Sequence, residues 1–263
     1  MDHKAVSPGN CSAIRLAHAY RSAPTARDVN DVAEIVSILA GKSKLGSRSP
    51  AEASVVLRAE KILKATVRPL YMFSGCLHPK LGTIGLVISP RCLGHGLQGV
   101  SRCDSGGLVG RQGAFAHIPE KDVESALQSL SFFGADTNWQ DAFSEELSIS
   151  YPSIRAYVAG DVPNHVSWRD VRAKCIEEHN AAVNGKPDRR LWTWEVRLEV
   201  APDPADYECI VISHEAFKRL EEIRSSGEDV PSHVRIIRGK ITPGGVHLFE
   251  EDYVVDVLCG VAA

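Results

Sequence analysis

An α+β fold is predicted by this sequence, with a mixed or antiparallel sheet and a helical N-terminal region. Three observations carry the prediction. Apolar residues recur at helical spacing up to about residue 66. Short apolar runs bounded by glycine and proline cluster after that point. One late segment, Leu191–Val200, alternates with the period of a strand. Helices that come first and strands that gather later argue for α+β rather than a regular βαβ alternation. The chain has 263 residues, of which 44% are hydrophobic. That suits one continuous domain in which residues 1–66 form a helical region and residues 67–263 an α+β body of catalytic type.

The elements follow in order. Residues 1–24 are polar, and Ile14–Tyr20 reads as a helical turn. Ala26–Ala40 is a helix because Val29, Val32, Ile35, Val36 and Leu39 fall near one face, with Gly41 to end it. Ser49, Pro50 and Glu52 have the spacing of a capping box that opens a helix running to about Lys64. Leu70–Phe73 and Thr83–Ser89 are strands, and Leu93–Gly113 is a glycine-rich loop. Pro119–Phe133, Asn138–Leu147 and Trp168–Val183 read as helices. In Leu191–Val200, Trp192, Trp194, Val196, Leu198 and Val200 share one face; Thr193, Glu195 and Arg197 lie on the other. Tyr207–Ser213 is a strand and Glu215–Ser225 a helix; His233–Arg238, Val246–Phe249 and Tyr253–Leu258 are short closing strands.

Bulk properties narrow the function classes. A formal net charge of -3 gives no basic excess of the kind that advertises nucleic-acid binding. No apolar run is long enough to span a membrane, and the first residues lack a signal-peptide core. Seven cysteines at irregular spacing do not form a disulfide framework. A cytoplasmic, reduced protein without membrane attachment is expected.

Chemistry concentrates in Arg68–Phe115, where three cysteines, two histidines and many glycines precede Asp104-Ser105-Gly106-Gly107. The last four residues superficially resemble the nucleophile loop of trypsin-like proteases, but no matching histidine segment lies upstream. A loop binding an anion through the Gly106 and Gly107 amides, with Ser105 as an added donor, is the preferred functional reading; a polar turn between strands is the plain one. Cys76, His78, Cys92 and His95, with Cys103 and His117 beyond, offer zinc ligands. Cys-x-His on a strand points to opposite faces, however, so reduced, metal-free cysteines are expected. Cys103 paired with a histidine is a further nucleophile candidate. Pro187-Asp188 followed by Glu195-Val196-Arg197 has part of a nuclease pattern, with arginine where a lysine is expected. There is no phosphate-binding P-loop, no GxGxxG opening a helix and no HExxH.

Glu195 is the strongest single candidate, a carboxylate in mid-strand on a polar face. The tract Trp194-Glu195-Val196-Arg197-Leu198, followed by Ile210–Ile212, resembles the glutamate strand of mono-ADP-ribosyltransferase-like toxins of the DNA-targeting type. Leu70-Tyr71-Met72-Phe73-Ser74-Gly75 is similar to the first strand of such folds. The chain departs from that family in having no histidine or arginine motif on the first strand and no serine-threonine-serine strand after it. The resemblance implies a bacterial toxin or defence effector, an NAD-using transferase acting on a macromolecular or nucleic-acid substrate. It implies that Glu195 orients the ribose; Asp104 and Ser105 of the glycine-rich loop are the further catalytic candidates beside it. Tyr71, Ser74, His78, Gly106 and Gly107 would bind NAD, and Arg68 is a positional candidate beside them. Tyr71 or Trp192 would stack on nicotinamide. The alternative from another class is a non-catalytic interaction module, an immunity or adaptor protein with a partner protein. The enzyme reading expects Glu195 to approach Asp104–Gly107 across a cleft, with carboxylate and backbone amides both free for substrate.

Overall fold

In the computed structural model, the strands assemble into one nine-stranded sheet. The structure describes residues 16–20, 28–45, 53–65, 67, 69–74, 84–89, 96–133, 138–151, 177, 189–228, 230–241 and 247–249. The strands are β1 (Leu16–Tyr20), β2 (Leu70–Ser74), β3 (Ile84–Ile88), β4 (Leu97–Ser101), β5 (Ser131–Phe133), β6 (Glu195–Leu198), β7 (Tyr207–Ser213), β8 (Arg235–Ile241) and β9 (His247–Phe249). Their order is β5-β4-β6-β2-β1-β3-β7-β8-β9. Among the described strands, β7 and β8 pair in parallel and the other pairs are antiparallel. The sheet is therefore mixed, and with its helices the fold is α+β as expected.

The helices are α1 (Asp28–Leu39), α2 (Ala53–Ile62), α3 (Ser105–Val109), α4 (Val123–Ser129), α5 (Asn138–Ser150) and α6 (His214–Ser225). The α1 helix forms because its apolar residues repeat at helical spacing, and Val32, Ile35, Val36 and Leu39 are all buried. It packs on α6, which links the parallel strands β7 and β8. Helices α2, α3 and α4 pack together. No helix among the described residues is long and apolar enough to cross a membrane.

Four local expectations change. Leu16–Tyr20 is a strand, not a helical turn, because it fills the place between β2 and β3 and pairs antiparallel with both. The expected glycine-rich loop contains β4 and the short helix α3. The expected Pro119–Phe133 helix breaks up: a 3-10 turn at Glu120–Asp122 precedes α4, and β5 follows it to pair with β4. The Leu191–Val200 strand is reduced to Glu195–Leu198, with a 3-10 turn at Arg189–Leu191 ahead of it. The capping box at 49–52 and the strand at 253–258 lie outside the described residues, as does the 168–183 helix apart from Glu177.

The alternation holds from Trp194 to Leu198 and fails at Val200, which is exposed because the strand has already ended at Leu198. Trp192 and Trp194 are buried, and Val196 and Leu198 share their burial. Strand β6 is hydrogen-bonded on both edges, to β4 and to β2. Trp194 packs on Phe143 of α5 with ring centroids 4.8 Å apart and stacks on Phe132 of β5 at 6.0 Å. Its indole N–H donates to Glu146 at 3.2 Å. The Arg102 guanidinium lies 5.6 Å from the same ring. Removing that ring empties the junction of β5, β6 and α5. Trp194→Ala should therefore cost about 3–5 kcal/mol, read as a lower midpoint in urea unfolding; a loss under about 1 kcal/mol would contradict this packing.

Candidate functional site

The site is built on the opposite face of β6. Pairing registers Glu195 with Phe73 of β2 and Ser101 of β4, and Arg197 with Tyr71 and Gly99. Residues in register share a face, so Tyr71, Gly99, Ser101, Glu195 and Arg197 come together on three adjacent strands. Helix α3 follows directly after β4 and folds back over this face. Asp104 caps it by accepting the Gly107 amide at 2.9 Å.

Glu195 and the Asp104–Gly107 segment meet, as expected, but by direct contact rather than across a cleft. The Ser105 hydroxyl donates to Glu195 Oε1 at 2.7 Å, and the Ser105 amide to Oε2 at 3.2 Å. Arg197 Nη1 donates to Glu195 Oε1 at 3.2 Å and to Ser101 Oγ at 2.6 Å. Glu195 and Arg197 are each only 2% exposed, and Ser105 is fully buried. The expectation of a carboxylate open to solvent is therefore corrected: α3 covers the polar face of β6, so this strand is buried on both sides. The expectation of a free Gly107 amide is corrected too. The Ser105 and Gly107 amides are already committed to Glu195 and Asp104, and Asp104 places a carboxylate where a phosphate cradle would need donors.

Electrostatics follow from this burial. Glu195 is pushed up from 4.5 to about 7, first by loss of water and then by the nearby Asp104 carboxylate. Arg197 and the two Ser105 donors oppose that rise without cancelling it. The Tyr71 hydroxyl is also driven above the ordinary phenol range, by burial and then by the negative charges of Glu195 and Glu60. It stands 3.5 Å from Glu60 of α2, a long contact. Arg197 Nη2 is buried and has no hydrogen-bond partner among the described residues. A Cβ on Gly99 would lie 2.6 Å from that nitrogen and 2.5 Å from the Phe132 carbonyl, so only glycine lets the guanidinium lie across β4.

Gly106 and Gly107 lie within α3 and serve its geometry. Ser74 ends β2, while Arg68, Cys76, His78, Cys92 and His95 are outside the described residues. Cys103 is buried and in no disulfide, and His117 is exposed. Trp192 belongs to the core. No group of three or more metal-ligating side chains occurs among the described residues. Sequence reasoning missed Ser101, Gly99 and Glu60 as members of the site. Alternation along β4 would have placed the first two beside Arg197; nothing in the local pattern marks Glu60. In comparisons with known families, curated proteins and solved structures, no family model, protein or structure matches this chain.

The two helix glycines should respond differently. A Cβ at Gly107 would lie 2.6 Å from Asp104 Oδ2 and 3.2 Å from the Phe115 ring, whereas at Gly106 the nearest atom is 3.5 Å away. Gly107→Ala should cost about 1–3 kcal/mol through the broken cap. Gly106→Ala should be neutral or gain up to about 1 kcal/mol from helix propensity. Unfolding midpoints of the two variants check the contrast.

Stability should also depend on pH in one direction. Because the folded state holds the Glu195 proton more tightly than the unfolded chain does, this contribution is fully present below about pH 4.5. It is lost as pH rises toward about 7 and is level beyond. The loss should be on the order of 1–3 kcal/mol. Glu195→Gln should remove this part of the pH profile, measured by urea unfolding between pH 4.5 and 8.

Proposed function

We propose that the protein is an enzyme working through Glu195, and that its reaction is the one its resemblance implies: transfer of ADP-ribose from NAD to a macromolecular or nucleic-acid acceptor. The observation that supports this reading is the convergence of Glu195, Arg197, Ser105 and Tyr71 on one buried polar face. An ion pair under a sheet adds little stability that apolar side chains would not supply, because desolvation offsets its attraction. A buried carboxyl group pushed up to about 7, beside an arginine whose Nη2 finds no partner among the described residues, is the kind of perturbed group that clusters at working sites. In this reading NAD is substrate. The bond from nicotinamide to ribose breaks, nicotinamide leaves with the bonding electrons, and the acceptor bonds to the ribose carbon as it gives up a proton. Glu195 holds a ribose hydroxyl and its charge stabilises the positive character developing on the sugar. Ser105 Oγ occupies the position on Glu195 that such a hydroxyl takes. The glycines of α3 cover the site and are not part of a diphosphate cradle. A toxin or defence role in the cytoplasm is the setting that belongs with this chemistry.

One observation favours a second reading. Both Glu195 oxygens are satisfied within the protein, as in a purely structural polar cluster. Val67 and Val200 are meanwhile exposed at the end of the sheet where Gln98 bonds to the Val67 carbonyl. An interaction module that recruits a partner protein would present such a surface. Incubation with NAD separates the two. The enzyme reading expects nicotinamide release or labelled nucleic acid or protein, reduced about 10²–10⁴-fold in Glu195→Gln with an unchanged circular dichroism spectrum. No NAD turnover, or full turnover in that variant, would overturn it and leave the module reading.

A further inference from the structure

We infer that the exposed face of α2 on one copy of this chain docks against the exposed face of α5 on the next, so that copies associate head to tail. The inference does not depend on the reaction proposed for Glu195.

Each helix turns charge of one sign outward. On α2, Glu60 faces inward to Tyr71, and Arg58 is already paired with Glu120. Lys61, and Lys64 just past the helix end, are exposed and have no side-chain partner among the described residues. Helix α5 carries no lysine or arginine. Its Glu146 faces inward to the Trp194 indole. Its Asp141 and Glu145 are exposed, and their carboxylates have no partner among the described residues. Each face also carries an exposed aliphatic side chain, Leu57 at 59% and Ile149 at 45%.

The two faces match in spacing as well as in sign. Lys61 follows Leu57 by one helical turn, and Ile149 follows Glu145 by one turn. Residues four apart share a side of a helix and lie about 6 Å apart along its axis. Laid antiparallel, the helices set Leu57 against Ile149 and Lys61 against Glu145 in one register, which also brings Asp141 toward Lys64. A parallel arrangement cannot satisfy both pairs at once. Both halves of the match are on the same chain, so a second copy supplies what each face lacks. The sheet keeps the two faces apart. Helix α2 lies over the polar side of β6, where Glu60 reaches Tyr71, the register partner of Arg197. Helix α5 lies over the other side, where Phe143 packs on Trp194. One partner therefore cannot occupy both faces, and the contact repeats along a row of copies instead of closing at two. A single helix laid on a helix buries less than the roughly 1,000 Å² of a stable interface, so the association is weak and salt-sensitive.

Analytical ultracentrifugation of the full chain tests this. The average mass should climb past that of a dimer as concentration rises from about 10 μM to about 1 mM. The association constant should fall about 10-fold between about 50 mM and about 500 mM salt. Lys61→Glu with Lys64→Glu should be monomeric, and so should Asp141→Lys with Glu145→Lys. The first double variant carries acid on both faces and the second carries base on both, so an equimolar mixture of the two should associate again. Leu57→Asn leaves the charge unchanged and should weaken association about 5–10-fold. A wild type that stays monomeric, reversal variants that associate like the wild type, or a mixture that stays monomeric would each overturn the docking. Association that stops at a dimer would overturn the head-to-tail arrangement. Should a reversal variant fail to fold, judged by circular dichroism, the salt series and Leu57→Asn decide, and association unmoved by both would overturn the docking.

Discussion

A carboxylate and a guanidinium held out of water between interior strands and a five-residue helix set the terms for this part of the fold. Burying either charge alone would cost several kcal/mol. Glu195 is kept by Arg197 and by two donors from Ser105; Arg197 is kept by Glu195 and Ser101. Each residue justifies the next. Ser105 must begin a helix so that its amide and hydroxyl point the same way, and Asp104 must cap that helix. Gly107 must be glycine for the cap to close, and Gly99 must be glycine for Arg197 to lie flat. The polar network therefore fixes the path of the chain from β4 into α3 more tightly than apolar packing alone would.

The two faces of β6 divide the labour. Trp194, Val196 and Leu198 face the apolar side, where Trp194 meets Phe143 and Trp139 packs on Phe143. That side supplies area removed from water and hence most of the local stability. The opposite side spends part of it on desolvating charge. Such a strand joins an apolar platform to a polar cluster, and packing on both faces leaves its side chains little freedom to change rotamer.

The sequence made one face of this arrangement legible and hid the other. Period-two alternation from Trp192 to Leu198 identified the buried aromatics and placed Glu195 and Arg197 opposite them, because alternation is a local property of the pleat. What covers that opposite face is not local. It depends on α3 folding back from β4, in a segment whose glycine content signals a loop. The meeting of Asp104–Gly107 with Glu195 was readable as a juxtaposition of chemistry, yet its closeness was not: an acidic residue and glycines look open until the cap and the strand claim their hydrogen bonds. β1 was misread for a similar reason. Leu16–Tyr20 is too short to declare a period, and its strand state comes from the two neighbours that pair with it.

The glycines of α3 bear on what kind of site this is. A helix needed only to bury Glu195 would be better served by alanine at residue 106, where space allows a Cβ and propensity favours it. Gly107 is required by the cap; Gly106 has no such requirement in the closed structure. Its presence lowers the helix propensity of the turn that contacts Glu195, while Leu108 and Cys103 on either side are fully buried. A purely structural polar cluster gains nothing from that weakness. The asymmetry between Gly106 and Gly107 thus separates what the Asp104 cap demands of this helix from what helix propensity alone would choose.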